Sequence, residues 1–275
     1  MKRFSSWNRS WIVDKIESLP CGQWDRIWFL SLRYVSWKSR FHRRIARASP
    51  VLAKQLFLII RASMRLSVRI LRTRYPARYT DADPYKTMYV DPKRIQNTTE
   101  DIFSKRRGWV VDGTWDSGGD LFMERTYPKA IEQRFVERKE WNDTVLFETE
   151  DKKAATAHAE SIDTLYDSIR QHGYYSQREL LSKDPSAAWN GLNDAMHPLA
   201  NEISVDIGRD GELLWNICGQ HRLAIAKVLD VDEVPVQVFR RHHEWQEIRD
   251  RARRGEEIPE RFRAHPDLQD LFGKD

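Results

Sequence analysis

Hydrophobic and polar positions alternate along residues 201–217, NEISVDIGRDGELLWNI, and this alternation predicts a β-hairpin. The segment GRDG between the two halves has a glycine at each end, which allows a tight reversal of the chain. Hydrophobic residues occupy every second position on both sides of this turn: Ile203, Val205, Ile207, Leu213, Trp215 and Ile217. Alternate side chains of a strand share one face, so the hairpin is expected to bury that face.

Other segments predict short strands and longer helices around the hairpin. Runs of β-branched and aromatic residues beside turn residues predict three further strands, within 86–95, at the start of 106–122 and over 232–239. Apolar residues at helical spacing predict helices over 126–139, 152–171 and 221–229. Gly173 follows the second of these helices and is expected to end it with a positive φ angle.

The most hydrophobic segment, residues 51–71, carries a regular series of basic side chains. They recur at the spacing of one helix face: Lys54, Arg61, Arg65, Arg69 and Arg72. So many charges exclude a helix that spans a membrane. The pattern predicts a long cationic amphipathic helix, and three placements remain open for it. It lies on an anionic membrane surface, lies on a phosphate backbone, or packs on the rest of the protein.

The chain divides into three parts by composition. Residues 4–46 predict short helices in which five tryptophans alternate with basic residues. Residues 72–85 contain two prolines and no apolar periodicity, so we expect a boundary there. The predicted parts are a basic, tryptophan-rich helical region (1–80), a mixed α/β domain (81–245) and a polar helical tail (246–275).

Charge and cysteine content limit the expected partners and location. The net charge is +5, and the basic excess is concentrated in the first 80 residues. This asymmetry indicates an anionic partner, either nucleic acid or a lipid surface, although a solvated basic face also accounts for it. Cys21 and Cys218 lie far apart and form neither a disulfide framework nor a metal knuckle. We therefore expect a cytoplasmic protein, with peripheral membrane association as the alternative.

The segment GELLWNICGQHRLAIAKVLDVDEVPVQVF, residues 211–239, resembles part of the ParB/sulfiredoxin superfamily. In that superfamily a strand leads into a G-x-[HR]-R turn, a helix with alanines, and a V-P-V strand. LYDSIRQHGYYSQ (165–177) and MYVDPKRI (88–95) resemble two flanking elements of the same domain. The resemblance covers about residues 85–240. It implies an α+β fold with a small mixed sheet and a helical insertion, which the basic helical region precedes.

The resemblance implies a phosphate site at the turn that begins the 221–229 helix. Gly219 lets the backbone approach an anion, while Gln220, His221 and Arg222 surround it. A guanidinium binds two phosphate oxygens at once, which suits Arg222 to this role. The implied ligand is a nucleotide or another phosphorylated compound, with Mg²⁺ as the cofactor of a nucleoside triphosphate. The alternative is an ordinary turn in which Arg222 pairs with a carboxylate.

The chain departs from some motifs of the family, and these departures narrow the reactions that we expect of it. Sulfiredoxin-type reductases carry a cysteine directly before the His-Arg pair, where this chain has Gln220. Cys218 is expected to be a buried hydrophobic residue instead. After residue 240 the chain lacks both the Glu-Asn-x-x-Arg phosphate motif and the helix-turn-helix of chromosome-partitioning ParB proteins, so partition-type CTP switching is not expected. Phosphoryl transfer and nuclease activity remain open, with His221 as a candidate catalytic residue.

Acidic residues in a glycine-rich loop offer a second candidate for chemistry. They lie in VDGTWDSGGDLFMERT: Asp112, Asp116, Asp120 and Glu124. Asp112 and Asp116 are the candidates for Mg²⁺ or substrate contacts, whereas a solvated loop is the alternative. His242 and His243 are expected at the surface, and His197 in a turn. Asp206 lies on the hairpin, where it faces the Arg222 turn or forms a structural ion pair.

Binding of a nucleotide or other phosphate-bearing ligand at Gly219–Arg222 is the leading functional hypothesis. A DNA- or RNA-binding adaptor is the alternative, in which the basic stripe holds the phosphate backbone without a reaction. Its contact residues are Arg61, Arg65, Arg69 and Arg72. A peripheral membrane protein that contacts an anionic membrane surface through residues 51–72 is the third hypothesis.

Overall fold

The computed structural model describes residue 45 and residues 48–100, 107–191 and 197–272. These parts of the chain form an α+β structure with nine α-helices and one small mixed sheet. The tryptophan-rich helices predicted before residue 45 lie outside the described residues.

The helices and strands are numbered here in chain order. The helices are α1 (Pro50–Arg74), α2 (Thr126–Phe135), α3 (Val145–Thr149), α4 (Lys152–His172), α5 (Gln177–Lys183), α6 (Pro185–Asn190), α7 (Gln220–Val228), α8 (His243–Arg253) and α9 (Glu260–Arg263). The strands are β1 (Thr87–Val90), β2 (Trp109–Val111), β3 (Ile203–Ile207), β4 (Leu213–Trp215) and β5 (Val234–His242).

Strand β5 organises the sheet, because three other strands pair with it. On one side β3 runs parallel to β5 and carries β4 antiparallel on its outer edge. On the other side β1 pairs antiparallel with the first part of β5, and β2 pairs parallel with its end. All nine residues of β5 are buried, which fits a strand that is covered on both faces.

The predicted hairpin is confirmed as β3 and β4, with Val205 opposite Trp215. The 152–171 helix is confirmed as α4, and Gly173 follows it with a φ of 79°. Strand β5 continues three residues beyond the predicted end at 239, through a pair of arginines. His242, predicted at the surface, is buried and caps α8 with its side chain, so that prediction is wrong. His197 lies in the predicted turn as the cap of a 3₁₀ helix.

Helix α7 packs into the core beside the sheet. Its residues Leu223, Ala224, Ile225 and Ala226 are completely buried. Alanine side chains are small, so Ala224 and Ala226 permit α7 to pack closely against its neighbours. The predicted helical insertion contains α2 and α3, which bury a smaller cluster against α4.

Two adjacent arginines of β5 form ion pairs on opposite faces of the sheet. Arg240 donates from Nε to Oδ2 of Asp206 at 2.7 Å, and both side chains are buried. Asp206 therefore forms the structural ion pair, with Arg240 rather than with the Arg222 turn. Arg241 pairs in the same way with Asp267, which is also buried. Neighbouring residues of a strand point to opposite faces. The first pair joins β5 to its neighbour β3 within the sheet, and the second joins β5 to the C-terminal segment.

The C-terminal segment is part of the core. Ile258, Phe262 and Leu268 are buried in the same hydrophobic cluster as the sheet. Asp267 accepts from the Arg241 guanidinium and from Nε1 of Trp245, which lies at 3.0 Å. The sequence predicts a polar tail over 246–275, but the described part of this segment, 246–272, covers one side of β5.

The ion pair between Arg241 and Asp267 is expected to be essential for stability. Replacement of Asp267 by Asn leaves a buried guanidinium without its carboxylate, which costs about 3–5 kcal/mol. Urea unfolding followed by circular dichroism measures this loss. The control is Glu260→Gln, because Glu260 is an exposed partner of Arg263. An equal loss of stability in both variants would contradict the assigned role of Asp267.

Candidate functional site

The loop between β4 and α7 has a strained backbone. Ile217 adopts a φ of 38°, which is rare for a β-branched residue. Gly219 adopts a φ of 79°, and a Cβ atom at this position would lie 2.8 Å from Cα of Ile203. Only glycine fits there, because the loop crosses β3 so closely. Strain of this kind is concentrated at functional sites.

The N-terminus of α7 presents free hydrogen-bond donors at this loop. Gly219 caps the helix and supplies no side-chain acceptor. Among the described residues, no acceptor contacts the backbone N–H groups of Gln220, His221 and Arg222. All three residues are partly exposed. Unpaired N–H groups and the positive end of the helix dipole make such a terminus attractive to an anion.

His221 lies on one side of this terminus as a neutral imidazole. Its ring meets the ring of Tyr127 edge to face, with the centroids 4.7 Å apart. Burial, together with the charges of His158 and Arg222, lowers the pKa of His221 to about 4. The ring therefore carries no charge at neutral pH and contributes at most one N–H to a ligand. His221 therefore supplies no positive charge to a ligand.

Arg222 lies on the other side of the terminus and is already engaged. Its Nη1 atom lies 3.5 Å from Oε2 of Glu202, and its Nη2 donates to the carbonyl oxygen of Asn201. The alternative interpretation of the sequence, that Arg222 pairs with a carboxylate, describes this contact. Gly219, Gln220, His221 and Arg222 are thus adjacent, but the side chains of His221 and Arg222 do not converge on one point.

Glu202 has an unusual protonation state for a carboxylic acid. Burial raises the pKa of Glu202 to about 7, although Arg222 and a hydrogen bond from the backbone of Gln177 favour its ionised form. The N–H of Gln177 donates to Oε1 at 2.7 Å. Glu202 therefore exchanges a proton close to neutral pH, as groups that take part in proton transfer do.

Arg125 supplies a cation that the sequence motifs did not identify. Its guanidinium lies 5.1 Å from the ring centre of Trp215, which in turn donates to the carbonyl oxygen of Cys218. No carboxylate of the described residues forms a salt bridge with Arg125, and its Nε atom has no acceptor. Burial lowers the pKa of Arg125. A positive charge at the start of α2 interacts unfavourably with the helix dipole. This unfavourable position is the sequence signal that could have identified Arg125.

A hydrogen-bonded cluster lies next to His221. Glu150 accepts from the hydroxyl of Tyr127 and from Nδ1 of His158, which lies 2.7 Å away. Burial favours the neutral carboxyl, but these two bonds outweigh it and lower the pKa of Glu150. The bond at Nδ1 leaves Nε2 of His158 able to accept a proton. This pairing of carboxylate and imidazole is the arrangement that orients a general base.

The predicted metal or substrate residues lie elsewhere. Asp116 binds the guanidinium and the backbone N–H of Arg209 in the hairpin turn, and its pKa falls to about 2. Asp112 is exposed, with Oδ1 3.9 Å from Nε2 of His242. The hairpin turn is at the opposite end of β4 from α7, so Asp112 and Asp116 do not join the α7 terminus. Among the described residues, no group of three potential ligands could hold a metal ion.

Three arginines of the basic stripe of α1 contact the rest of the protein. Arg61 and Arg65 form salt bridges with Asp83, and Arg72 forms one with Asp250. These arginines are therefore already paired, which weakens their case as a nucleic-acid surface. Arg69 is exposed and forms no ion pair with the described residues.

Glu202→Gln should change the pH dependence of stability. Because the folded pKa of Glu202 is near 7 and its ordinary value is 4.5, the wild-type protein gains stability from this group at low pH. That gain is lost as the pH rises from about 5 to about 8, with an expected difference of about 1–3 kcal/mol. The variant lacks this titration. Chemical unfolding of both proteins across this pH range measures it, and parallel curves would contradict the assignment.

The buried cysteine and the surrounding elements agree with the sequence-based expectations. Cys218 is buried directly before Gly219, as expected of a hydrophobic core residue. The order β4, glycine turn, α7 and β5 is the order that the pattern predicted. Comparison of the chain with models of protein families, with curated proteins and with solved structures finds no match.

Proposed function

We propose that this protein binds a phosphate-bearing ligand, a nucleotide or a related compound, at the N-terminus of α7. One observation carries the proposal: the N–H groups of Gln220, His221 and Arg222 follow a glycine cap and have no acceptor within the described part of the chain. A phosphate group offers several acceptor oxygens and negative charge, and it satisfies both the free donors and the helix dipole. Strain at Ile217 is consistent with a loop that is shaped for binding.

The proposed resemblance to the ParB/sulfiredoxin superfamily supports this ligand class. In this chain the implied strand, glycine turn, alanine-containing helix and V-P-V strand correspond to β4, Gly219, α7 and β5. The chain departs from the implied site because Arg222 pairs with Glu202. Arg125 forms no salt bridge with any residue that the structure describes, and its guanidinium lies over Trp215 next to the loop, so we assign the phosphate-binding guanidinium to Arg125. Mg²⁺ enters this proposal only as the ion that accompanies a bound nucleoside triphosphate.

Arg125→Gln should weaken binding without loss of the fold. A charge-assisted hydrogen bond contributes about 1.5–3 kcal/mol, so the dissociation constant should rise by about tenfold or more. Calorimetric titration with ATP, CTP, GTP and pyrophosphate, each with and without Mg²⁺, measures the change. The matched control is Arg170→Gln, because Arg170 is exposed on α4 and pairs with Asp167.

The same titration separates a local phosphate site from a nucleic-acid surface. A ligand held by neutral N–H groups and one guanidinium loses little affinity as salt rises, whereas binding to many phosphates falls steeply. Short DNA is titrated in the same way. If the protein binds DNA but no nucleotide, if the affinity falls steeply with salt, and if Arg125→Gln leaves this affinity unchanged, the adaptor hypothesis is favoured. No binding of any nucleotide or of pyrophosphate would overturn the proposal.

His158 and Glu150 provide a route to a reaction at this site. In the proposed step, Nε2 of His158 removes a proton from water or from a substrate hydroxyl. The oxygen then bonds to phosphorus while the bond from phosphorus to the leaving oxygen breaks. Glu150 holds the imidazole through Nδ1 and stabilises the imidazolium that forms. The leaving oxygen takes a proton from solvent, which balances the step.

His158→Gln should abolish turnover while binding persists. General base catalysis contributes about 10²–10⁴-fold to a rate, so phosphate release or strand cleavage should fall by that factor. The dissociation constant should remain within about threefold of the wild-type value, since the proposal does not assign His158 to phosphate binding. His172→Gln is the control, because His172 is an exposed histidine of the same helix. Equal turnover in all three proteins would remove His158 from the mechanism.

A further inference from the structure

The outward face of α1 is hydrophobic. Large aliphatic side chains that are exposed to solvent are concentrated on this helix: Val51, Leu52, Leu58, Ile59, Leu66 and Ile70. Ile59 is 62% exposed, and Leu66 and Ile70 are each 59% exposed. Single exposed aliphatic residues are common on protein surfaces, but a contiguous set marks a contact surface.

These side chains form one continuous stripe. Leu52, Ile59 and Leu66 are seven residues apart, which is close to two helical turns, and Ile70 extends the row by one more turn. The opposite face of α1 is the one that packs on the protein, through Ala53, Phe57 and Val68. The stripe therefore has no partner among the described residues and is not a poorly packed part of the core.

The charges of α1 are arranged around this stripe. The helix contains no acidic residue. Lys54, Arg69 and Arg74 are exposed beside the stripe and form no salt bridge with the described residues. The salt bridges of Arg61, Arg65 and Arg72 with Asp83 and Asp250 attach the helix to the protein. Arg61, Arg65 and Arg72 thus position α1, and the apolar stripe with its exposed cations faces outward.

We propose that α1 lies in the interfacial layer of an anionic lipid membrane, with its apolar stripe among the acyl chains. The exposed cations Lys54, Arg69 and Arg74 would contact the lipid phosphates, because interfacial helices combine these two interactions. The helix of 25 residues is about 37 Å long and would lie parallel to the surface. Among the described residues, no helix has the length and apolar character that a membrane crossing requires.

The charge pattern favours lipid over the other possible occupants. Two copies of α1 placed stripe to stripe would bring acid-free helices together, so like charges would repel each other along the contact. A nucleic acid would meet aliphatic side chains at the centre of the face rather than the cations that bind phosphates. An anionic bilayer provides an apolar interior and a negative surface in the geometry that this face presents.

Flotation of the full-length protein with vesicles tests the proposal. Wild type should bind vesicles that contain phosphatidylglycerol and bind vesicles of phosphatidylcholine alone much more weakly. Ile59→Ser with Leu66→Ser should lower the partition coefficient by more than about tenfold, since two exposed aliphatic side chains lose their burial in lipid. Tyr89→Ser is the matched control, because Tyr89 lies on β1 and is 55% exposed. It should bind like wild type.

The outcomes separate the proposal from its competitors. The lost side chains are exposed, so unchanged circular dichroism and melting temperature should confirm that the double variant folds. Failure of wild type to bind phosphatidylglycerol vesicles would overturn the proposal, as would equal binding by the double variant. A wild-type dimer in light scattering that the double variant converts to a monomer would assign the stripe to a second copy. None of these results depends on the ligand site at α7.

Discussion

The structure depends on two charged residues near the C-terminal end of its central strand. Arg240 and Arg241 are buried next to each other in β5, and each needs a buried carboxylate on its own face of the sheet. Asp206 of β3 satisfies the first, and Asp267 near the C-terminus satisfies the second. Removal of either carboxylate would leave an uncompensated charge in the core. The first pair therefore joins β5 to the neighbouring strand β3, and the second holds the C-terminal segment against β5.

These pairs also position both proposed functional surfaces. On one face, Asp206 accepts from Nδ2 of Asn216 at 3.2 Å, which holds the start of the loop that leads to α7. On the other face, Arg249 of α8 donates to Asp81 and lies 4.0 Å from Asp267. The salt bridge of Asp250 with the end of α1 continues this network. The terminus proposed to bind phosphate and the helix proposed to lie on a membrane are thus connected to the same strand.

The local elements were predictable from the sequence, whereas the contacts between distant segments were not. Alternation and turn residues predict β3 and β4, because such patterns reflect burial of one face of a strand. The last three residues of β5 were not predicted, because two consecutive arginines are typical of a strand end that is exposed to solvent. The partners that bury them lie 34 and 26 residues away. The contact of His221 with Tyr127 depends in the same way on how α2 packs against α7. The sequence left three placements open for α1, because a helical pattern does not show which acidic residues of distant segments pair with its arginines.

The proposed function requires that an anion bind the N–H groups of Gln220, His221 and Arg222 at the start of α7. Backbone amide resonances of ¹⁵N-labelled full-length protein, titrated with pyrophosphate and with ATP, would detect this binding. The amide signals of these three residues should shift together and saturate with a single dissociation constant. The proposal would be contradicted if these three signals stayed unchanged with both ligands, whether or not other amide signals shifted.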